Sequence, residues 1–187
     1  MLGSPVWRGA PTYAFCAGLL AGGTAMCLLL LVLGSLLRAP LPGWVRVAIV
    51  AGWYLVLLAR ELGVLRFRLP ENRRLVPETV FRLGRFIGPF QFGLEMGTGA
   101  RTYLPTGLPY ALAVTVALVA SPVAAAVAGL GFGLGRSLML LANLGYDREG
   151  GWDVQWQTYH RQITAALIVA FTATLAVAVL IAVNWIR

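Results

Sequence analysis

A carboxylate and a guanidinium lie close together in the middle of an apolar stretch of this chain. Glu95 and Arg101 are six residues apart within the hydrophobic tract 86–120. Ionisable side chains at membrane depth are rare and typically mark sites for ions, protons or charged solutes. On a continuous helix this spacing puts the two on different faces, so only an elbow would fold them together. The alternatives are a structural ion pair that fixes the elbow, or an Arg101 that reaches the lipid headgroups.

The residues around these two charges predict such an elbow. Glycine costs about 1 kcal/mol in a helix interior and proline about 3 kcal/mol, and this segment holds several of both. We expect a half-helix over about 88–97, an unwound elbow over 98–109 and a crossing helix over about 108–120. Irregular backbone at this depth is tolerated where it is buried in protein or lines a wet cavity. The candidate substrate-binding residues are Glu95, Gly97, Thr98, Gly99, Arg101, Thr102, Pro105 and Pro109.

The other reactive side chains form no catalytic pattern. Cys16 and Cys27 are eleven residues apart on one predicted helix, which is about 16 Å and too far for a mutual disulfide. Together with the single histidine, His160, they supply no zinc pattern, and His160 lies where a loop meets a predicted span. No arrangement for nucleophilic, metal or acid–base catalysis is visible. We expect no enzyme activity, no metal and no cofactor.

Composition predicts the class of protein. Of the 187 residues, 59% are hydrophobic and 12% are charged, and the mean hydropathy is +0.78. Several apolar tracts match a hydrocarbon core of about 30 Å. We therefore predict an all-α, polytopic integral membrane bundle of about five transmembrane helices, one of them broken or re-entrant. Residues 1–187 form a single transmembrane domain in this interpretation.

Apolar tracts and the segments between them give the predicted spans. Besides the broken segment, the spans are expected at about 13–37, 44–62, 123–144 and 163–185. Residues 145–160 are predicted to be a loop of aromatic and charged residues. Trp152, Trp156 and Tyr159 have the character of membrane-interface anchors.

The distribution of arginine predicts the orientation. The net charge of +8 rests on fifteen arginines and no lysine, and seven of them, against three glutamates, fall within 60–85. No motif that reads nucleic acid accompanies this charge, so we expect anionic lipid, not nucleic acid, as its partner. The positive-inside rule places the loop over about 60–86, and with it the amino terminus, in the cytoplasm. We expect a multi-pass protein of the plasma (cytoplasmic) membrane, with Arg60 and Glu61 as an interfacial pair.

Two glycine patterns predict close helix contacts. Gly129 and Gly133, and Gly131 and Gly135, form overlapping GxxxG pairs, which are typical of close helix packing, within the protein or with a partner or second copy. The match of GLxxG at 18–22 with GLxxG at 93–97 hints at an internal repeat. Gly-interrupted segments in two halves of a chain are typical of transporter sites at a repeat interface.

A family resemblance rests on three segments. The run FGLEMGTGARTYLPTGLPY, the later AGLGFGLGRSL and the apolar last helix together resemble one three-helix half of the CcdA/DsbD-type transmembrane thiol–disulfide carriers. Those proteins have two inverted halves, each opening with a broken helix that bears a proline–cysteine motif. The segment AGLLAGGTAMCLLLL resembles a first half that is one helix short. The cysteine position of the second half falls near Thr102, and Cys27 has no preceding proline, so the resemblance implies a degenerate redox carrier whose thiol chemistry is lost.

Two classes of function follow from the sequence. The charged, broken segment favours a small transporter or carrier with its site at the elbow. The short chain, the missing cysteines and the GxxxG faces favour a non-catalytic membrane subunit or scaffold of a larger complex. A degenerate thiol-redox carrier, with Cys27 as its remaining redox residue, is the third alternative.

Overall fold

The computed structural model describes residues 9–70, 83–100, 104, 106–145 and 151–186, and it describes no side chains in 143–145, 151–156 and 182–186. Six helices and no strands occupy these ranges, so the all-α class is confirmed. The helices are α1 (Ala10–Arg38), α2 (Gly43–Glu61), α3 (Ile87–Gly97), α4 (Leu108–Leu118), α5 (Pro122–Gly145) and α6 (Gly151–Ile186).

Four of these helices are long and apolar enough to cross a membrane. They are Ala10–Arg38, Gly43–Glu61, Pro122–Ala142 within α5, and Gln157–Ile181 within α6. Large hydrophobic side chains along them are exposed on the protein surface, including Leu36, Leu55, Leu138 and Val169. A hydrocarbon environment covers such surfaces without cost, whereas water does not. The chain is therefore a polytopic integral membrane helix bundle.

The break in the third apolar tract lies where the sequence predicts it. α3 ends at Gly97 and α4 begins at Leu108, close to the expected boundaries of the elbow. The helix expected over about 108–120 is present as α4, Leu108–Leu118. α4 has 11 residues and is about 16 Å long at 1.5 Å per residue, because the chain leaves the helix after Leu118 and turns at Ser121-Pro122.

The start of the last helix also differs from the prediction. Residues 151–160 belong to α6, which has 36 residues, so most of the predicted aromatic loop is helical. Trp152, Trp156 and Tyr159 therefore lie on a helix, while 146–150 are outside the described residues. Polar and aromatic residues are acceptable in a helix when no proline interrupts them, and none occurs after residue 151. The low hydropathy of this stretch predicts that the chain leaves the membrane core, but it does not predict whether the stretch is helical.

The chain forms two compact units. Unit 1 comprises Met1–Leu28, Pro70–Leu104 and Ala125–Glu149, and unit 2 comprises Leu29–Leu69, Pro105–Ala124 and Gly150–Arg187. Both α1 and α5 contribute residues to each unit. The break between α3 and α4 contains the boundary at Leu104 and Pro105.

Glycine-to-backbone contact holds α1 against α3 in unit 1. A methyl group added to Gly18 would overlap the carbonyl oxygen of Phe90, and one added to Gly22 would overlap that of Leu94. The same holds in reverse for Gly93 and Gly97, which lie against the backbone of Phe15 and Leu19. Small residues on both helices allow this approach. The matching GLxxG segments thus pack on one another.

A second face of α1 packs against α5 in the same unit. A Cβ on Gly23 would lie 2.6 Å from the carbonyl oxygen of Gly129, and one on Gly133 would lie 2.7 Å from that of Leu19. The expected packing role of the pair at 129 and 133 is confirmed within this chain. Gly131 and Gly135 have nothing within 4 Å of an added Cβ.

Unit 2 packs α2 against α4 and α6. Its buried core includes Val50, Leu57, Ala111, Leu118 and Leu175. Two hydrogen bonds add to this contact: the Tyr54 hydroxyl bonds to the Thr172 hydroxyl, and the Trp53 indole N–H donates to the Tyr110 carbonyl at 3.4 Å. α4 therefore lies alongside α2, with its first residues near the end of α2.

Candidate functional site

The carboxyl end of α3 is closed by the candidate residues Thr98 and Gly99. The Thr98 hydroxyl donates to the Glu95 carbonyl at 2.7 Å and accepts from the Ala100 backbone N–H at 3.3 Å. Gly99 follows with φ +73°, a left-handed conformation that glycine adopts without strain and that typically ends helices. Its N–H donates to the Met96 carbonyl at 3.2 Å. The Gly-Thr-Gly segment thus stops the helix inside an apolar tract.

The other candidate residues divide between packing positions, the second unit and the part outside the described residues. Gly97 is buried against Leu19, so its role is close packing. Glu95 is half-buried in the last turn of α3. Pro109 belongs to unit 2, in the first turn of α4, where proline is tolerated because that N–H has no helical partner. Arg101, Thr102 and Pro105 lie outside the described residues, and the pairing of Glu95 with Arg101 stays a prediction.

An arginine of α5 lies close to the end of α3. Arg136 is half-buried within the span Pro122–Ala142, fourteen residues from its start and thus about 21 Å along the helix. Its Cζ lies 5.7 Å from the centroid of the Phe132 ring, a distance that suits a cation–π contact. The edge of the same ring is 3.4 Å from the Cβ position of Gly99. Unit 1 therefore brings Gly99, Phe132 and a half-buried guanidinium together where α3 ends.

A carboxylate from α2 holds the amino end of α4 in unit 2. Glu61 Oε1 accepts the Gly107 backbone N–H at 2.8 Å and the Arg60 Nη1 at 2.8 Å. The predicted pairing of Arg60 with Glu61 is confirmed. A helix begins with unsatisfied N–H groups and a partial positive charge, so the carboxylate supplies both an acceptor and the complementary charge.

An arginine from α1 holds the opposite end of α4. Arg38 donates from Nε to the Ala117 carbonyl at 2.7 Å, from Nη1 to Ala120 at 2.8 Å and from Nη2 to Val116 at 2.6 Å. Gly34, one helical turn earlier, lies against the Ala117 backbone, where a Cβ would overlap the carbonyl oxygen. The side chain at position i of a helix leans back over position i−4. Gly34 therefore admits the end of α4 and Arg38 caps it.

The remaining reactive residues occupy separate places. Cys27 is buried and Cys16 is half-buried on α1, and both are free thiols. His160 is exposed on α6, and its Nδ1 lies 2.9 Å from the Gln157 carbonyl oxygen. Across the described ranges no three His, Cys, Asp or Glu side chains cluster in a way that would hold a metal ion.

Sequence reasoning overlooked the role of three charged residues. Arg136 is the one arginine inside the fourth apolar tract, 123–144, and a charge there is by default a candidate for function. Arg38 and Glu61 each lie within one residue of the end of a predicted span. This position indicates contact with lipid headgroups and gives no sign of a partner in α4. Only the tertiary fold places the end of α2 at the start of α4 and the end of α1 at the end of α4.

Comparison with protein-family models, with curated proteins and with solved structures finds no match. The resemblance to the CcdA/DsbD-type carriers, with Thr102 at its cysteine position, stays a prediction.

Proposed function

We propose that the protein is a small membrane carrier, and that its solute site lies at the carboxyl end of α3 in unit 1. The observation that carries this proposal is Arg136, a half-buried guanidinium within a membrane-spanning helix. A charge at such depth is costly unless a partner or a wet cavity compensates it. The Phe132 ring beside Arg136 also lies against Gly99, at the capped end of a broken helix. Broken helices form the solute sites of many transporters.

The chemistry of this site favours a small anionic solute. A guanidinium binds carboxylate or phosphate through paired N–H donors in one plane. The Phe132 ring centroid lies 5.7 Å from the Arg136 Cζ, so an aromatic face forms one wall beside the guanidinium. Glu95, on the last turn of α3, is the natural residue to disfavour a second anion.

Uptake into proteoliposomes tests the carrier proposal. Radiolabelled phosphate, succinate and glutamate serve as probes, with glycerol as an uncharged reference. We expect at least one anion to enter faster than into protein-free vesicles. Arg136→Gln should reduce that uptake at least about tenfold, because one charge-assisted contact contributes about 1.5–3 kcal/mol, and Arg136→Lys should retain part of it. Arg68→Gln, an exposed arginine of unit 2, is the matched control.

Two results would reject the proposal. The first is uptake by Arg136→Gln equal to that of the unmodified protein. The second is that no anion enters the proteoliposomes faster than it enters empty vesicles, although thermal unfolding shows that all variants are folded. Labelling of single cysteines in a background without Cys16 and Cys27 adds an independent readout. If water enters the break between α3 and α4, thiol reagents should label cysteines at 98–106 but not those at 112–118.

A second candidate, a subunit of a larger membrane complex, rests on α6. This helix is about 54 Å long at 1.5 Å per residue, and Leu175 is the one buried side chain within Gln157–Ile181. A long, almost unburied helix is suited to dock another membrane protein. Isolation in mild detergent separates the two candidates, because a stoichiometric protein partner supports the subunit and a self-contained active protein supports the carrier.

A further inference from the structure

Two guanidinium groups lie at the corner where α1 ends and α2 begins. Arg38 is the last residue of α1 and Arg46 is in the first turn of α2. Three nitrogens of Arg38 are already engaged by carbonyl oxygens at the end of α4, so Arg38 is fixed in place. The corner therefore holds two cations, one of them immobile.

One hydrogen-bond donor of Arg46 lacks an acceptor. Its Nε is buried and has no hydrogen-bond partner. A buried donor left unsatisfied costs about 1–3 kcal/mol, and more when it is charged. Among the described side chains of unit 2 the one carboxylate is Glu61, which pairs with Arg60. Glu61 is fifteen residues along α2 from Arg46, about 22 Å away, and cannot neutralise this corner.

The position of the corner indicates which anion is available to balance its charge. Both arginines lie at the ends of candidate membrane spans, which is the depth of lipid headgroups. Trp44, in the same turn as Arg46, is 72% exposed, and tryptophan at this depth typically anchors a helix in the interface. A phospholipid phosphate is the anion present there in quantity, and its oxygens match the donors of a guanidinium.

We propose that Arg46, with Arg38 beside it, binds the phosphate group of an anionic phospholipid at the α1–α2 corner. This site belongs to unit 2 and does not depend on the carrier proposal. Arg38 supplies fixed positive charge, while the Arg46 guanidinium supplies a charge that no described carboxylate of unit 2 neutralises. The lipid would thereby hold the ends of α1 and α4 together through Arg38.

Thermal unfolding of the full-length protein in neutral detergent tests this site. The probes are phosphatidylglycerol, phosphatidylcholine and inorganic phosphate, each titrated into lipid-depleted protein. We expect phosphatidylglycerol to raise the Tm more than the other two. Arg46→Gln should weaken the apparent affinity for phosphatidylglycerol about fivefold, the contribution of one arginine near an anionic surface. Retention of the lipid in native mass spectrometry should fall in parallel.

Controls separate lipid binding from folding. Arg85→Gln removes an arginine that contacts Phe86 and should bind phosphatidylglycerol as the unmodified protein does. Without lipid, Arg46→Gln should unfold at a Tm no lower than that of the unmodified protein, because it removes an unsatisfied buried donor. Equal affinity of Arg46→Gln and the unmodified protein overturns the proposal. Equal stabilisation by inorganic phosphate overturns the assignment to a lipid.

Discussion

Charged side chains at the ends of α4 show how a short helix is accommodated in an apolar protein. An 11-residue helix has few internal hydrogen bonds, and its terminal N–H and C=O groups have no partner of their own. In lipid each unsatisfied group costs several kcal/mol. Glu61 meets the amino end and Arg38 meets the carboxyl end, so each charge opposes the helix dipole at its end. These residues are structural in unit 2, whereas Arg136 has the features of a functional residue in unit 1.

Replacement of Arg38 by glutamine should destabilise the protein by about 2–4 kcal/mol, because three carbonyls lose a charged donor and each unmet group costs about 1–3 kcal/mol before relaxation. The stability of Arg38→Lys should lie between that of Arg38→Gln and that of the unmodified protein. An ammonium group keeps the charge, but it cannot reach three carbonyls in one plane. Thermal unfolding in detergent measures both. Arg68→Gln should leave the Tm unchanged, and an unaltered Tm for Arg38→Gln would contradict the capping role.

α1 is the helix around which the elements of unit 1 assemble. Gly18 and Gly22 lie against α3, and Gly23 lies against α5, so one helix presents two close-packing faces. Such contacts depend on shape, because lipid tails are as apolar as the side chains and give no hydrophobic drive to helix association. The position of α3, and with it the capped end that carries Gly99, therefore depends on these glycines.

Two glycines of α5 provide a matched comparison. Gly133→Ala would bring a methyl group against the backbone of Leu19 and Leu20, while Gly131→Ala would meet nothing within 4 Å. Overpacking of this kind costs about 1–3 kcal/mol, whereas alanine in an open helical position gains up to about 1 kcal/mol over glycine. We expect Gly133→Ala to lower the Tm and Gly131→Ala to maintain or raise it. Equal effects of the two substitutions would contradict the assigned packing face.

Local chemistry explains which parts of this fold could be predicted. Glycine and proline determine the break between α3 and α4, since their cost in a helix is a property of the residue. The GxxxG pattern predicts close packing but does not choose between Gly133 and Gly131, because that choice depends on the partner helix. The same limit hid Arg38, whose acceptors are 78 to 82 residues away along the chain. The Glu95–Arg101 pairing depends on residue 101, which lies outside the described residues.

At the scale of the whole molecule, the contacts of unit 2 indicate how often the chain crosses the membrane. α4 begins beside Glu61, at the end of α2, and ends beside Arg38, at the end of α1. α2 is long enough to cross alone, so Glu61 and Arg38 are expected at opposite surfaces. α4 then takes the chain from the Glu61 surface to the Arg38 surface despite its short length. Because α5 and α6 are each long enough to cross, we expect five crossings in all.

Five crossings predict that the two termini lie on opposite sides of the membrane. The arginine-rich loop should be cytoplasmic by the positive-inside rule, which gives a cytoplasmic amino terminus and an external carboxyl terminus. Reporter fusions measure this: one near residue 72 should behave as cytoplasmic, and those near residue 40 and after Arg187 should behave as external. If all three reporters gave the opposite result, the predicted orientation would be wrong, while the number of crossings would stand. A carboxyl-terminal reporter on the same side as residue 72 would instead show that α4 does not take the chain across.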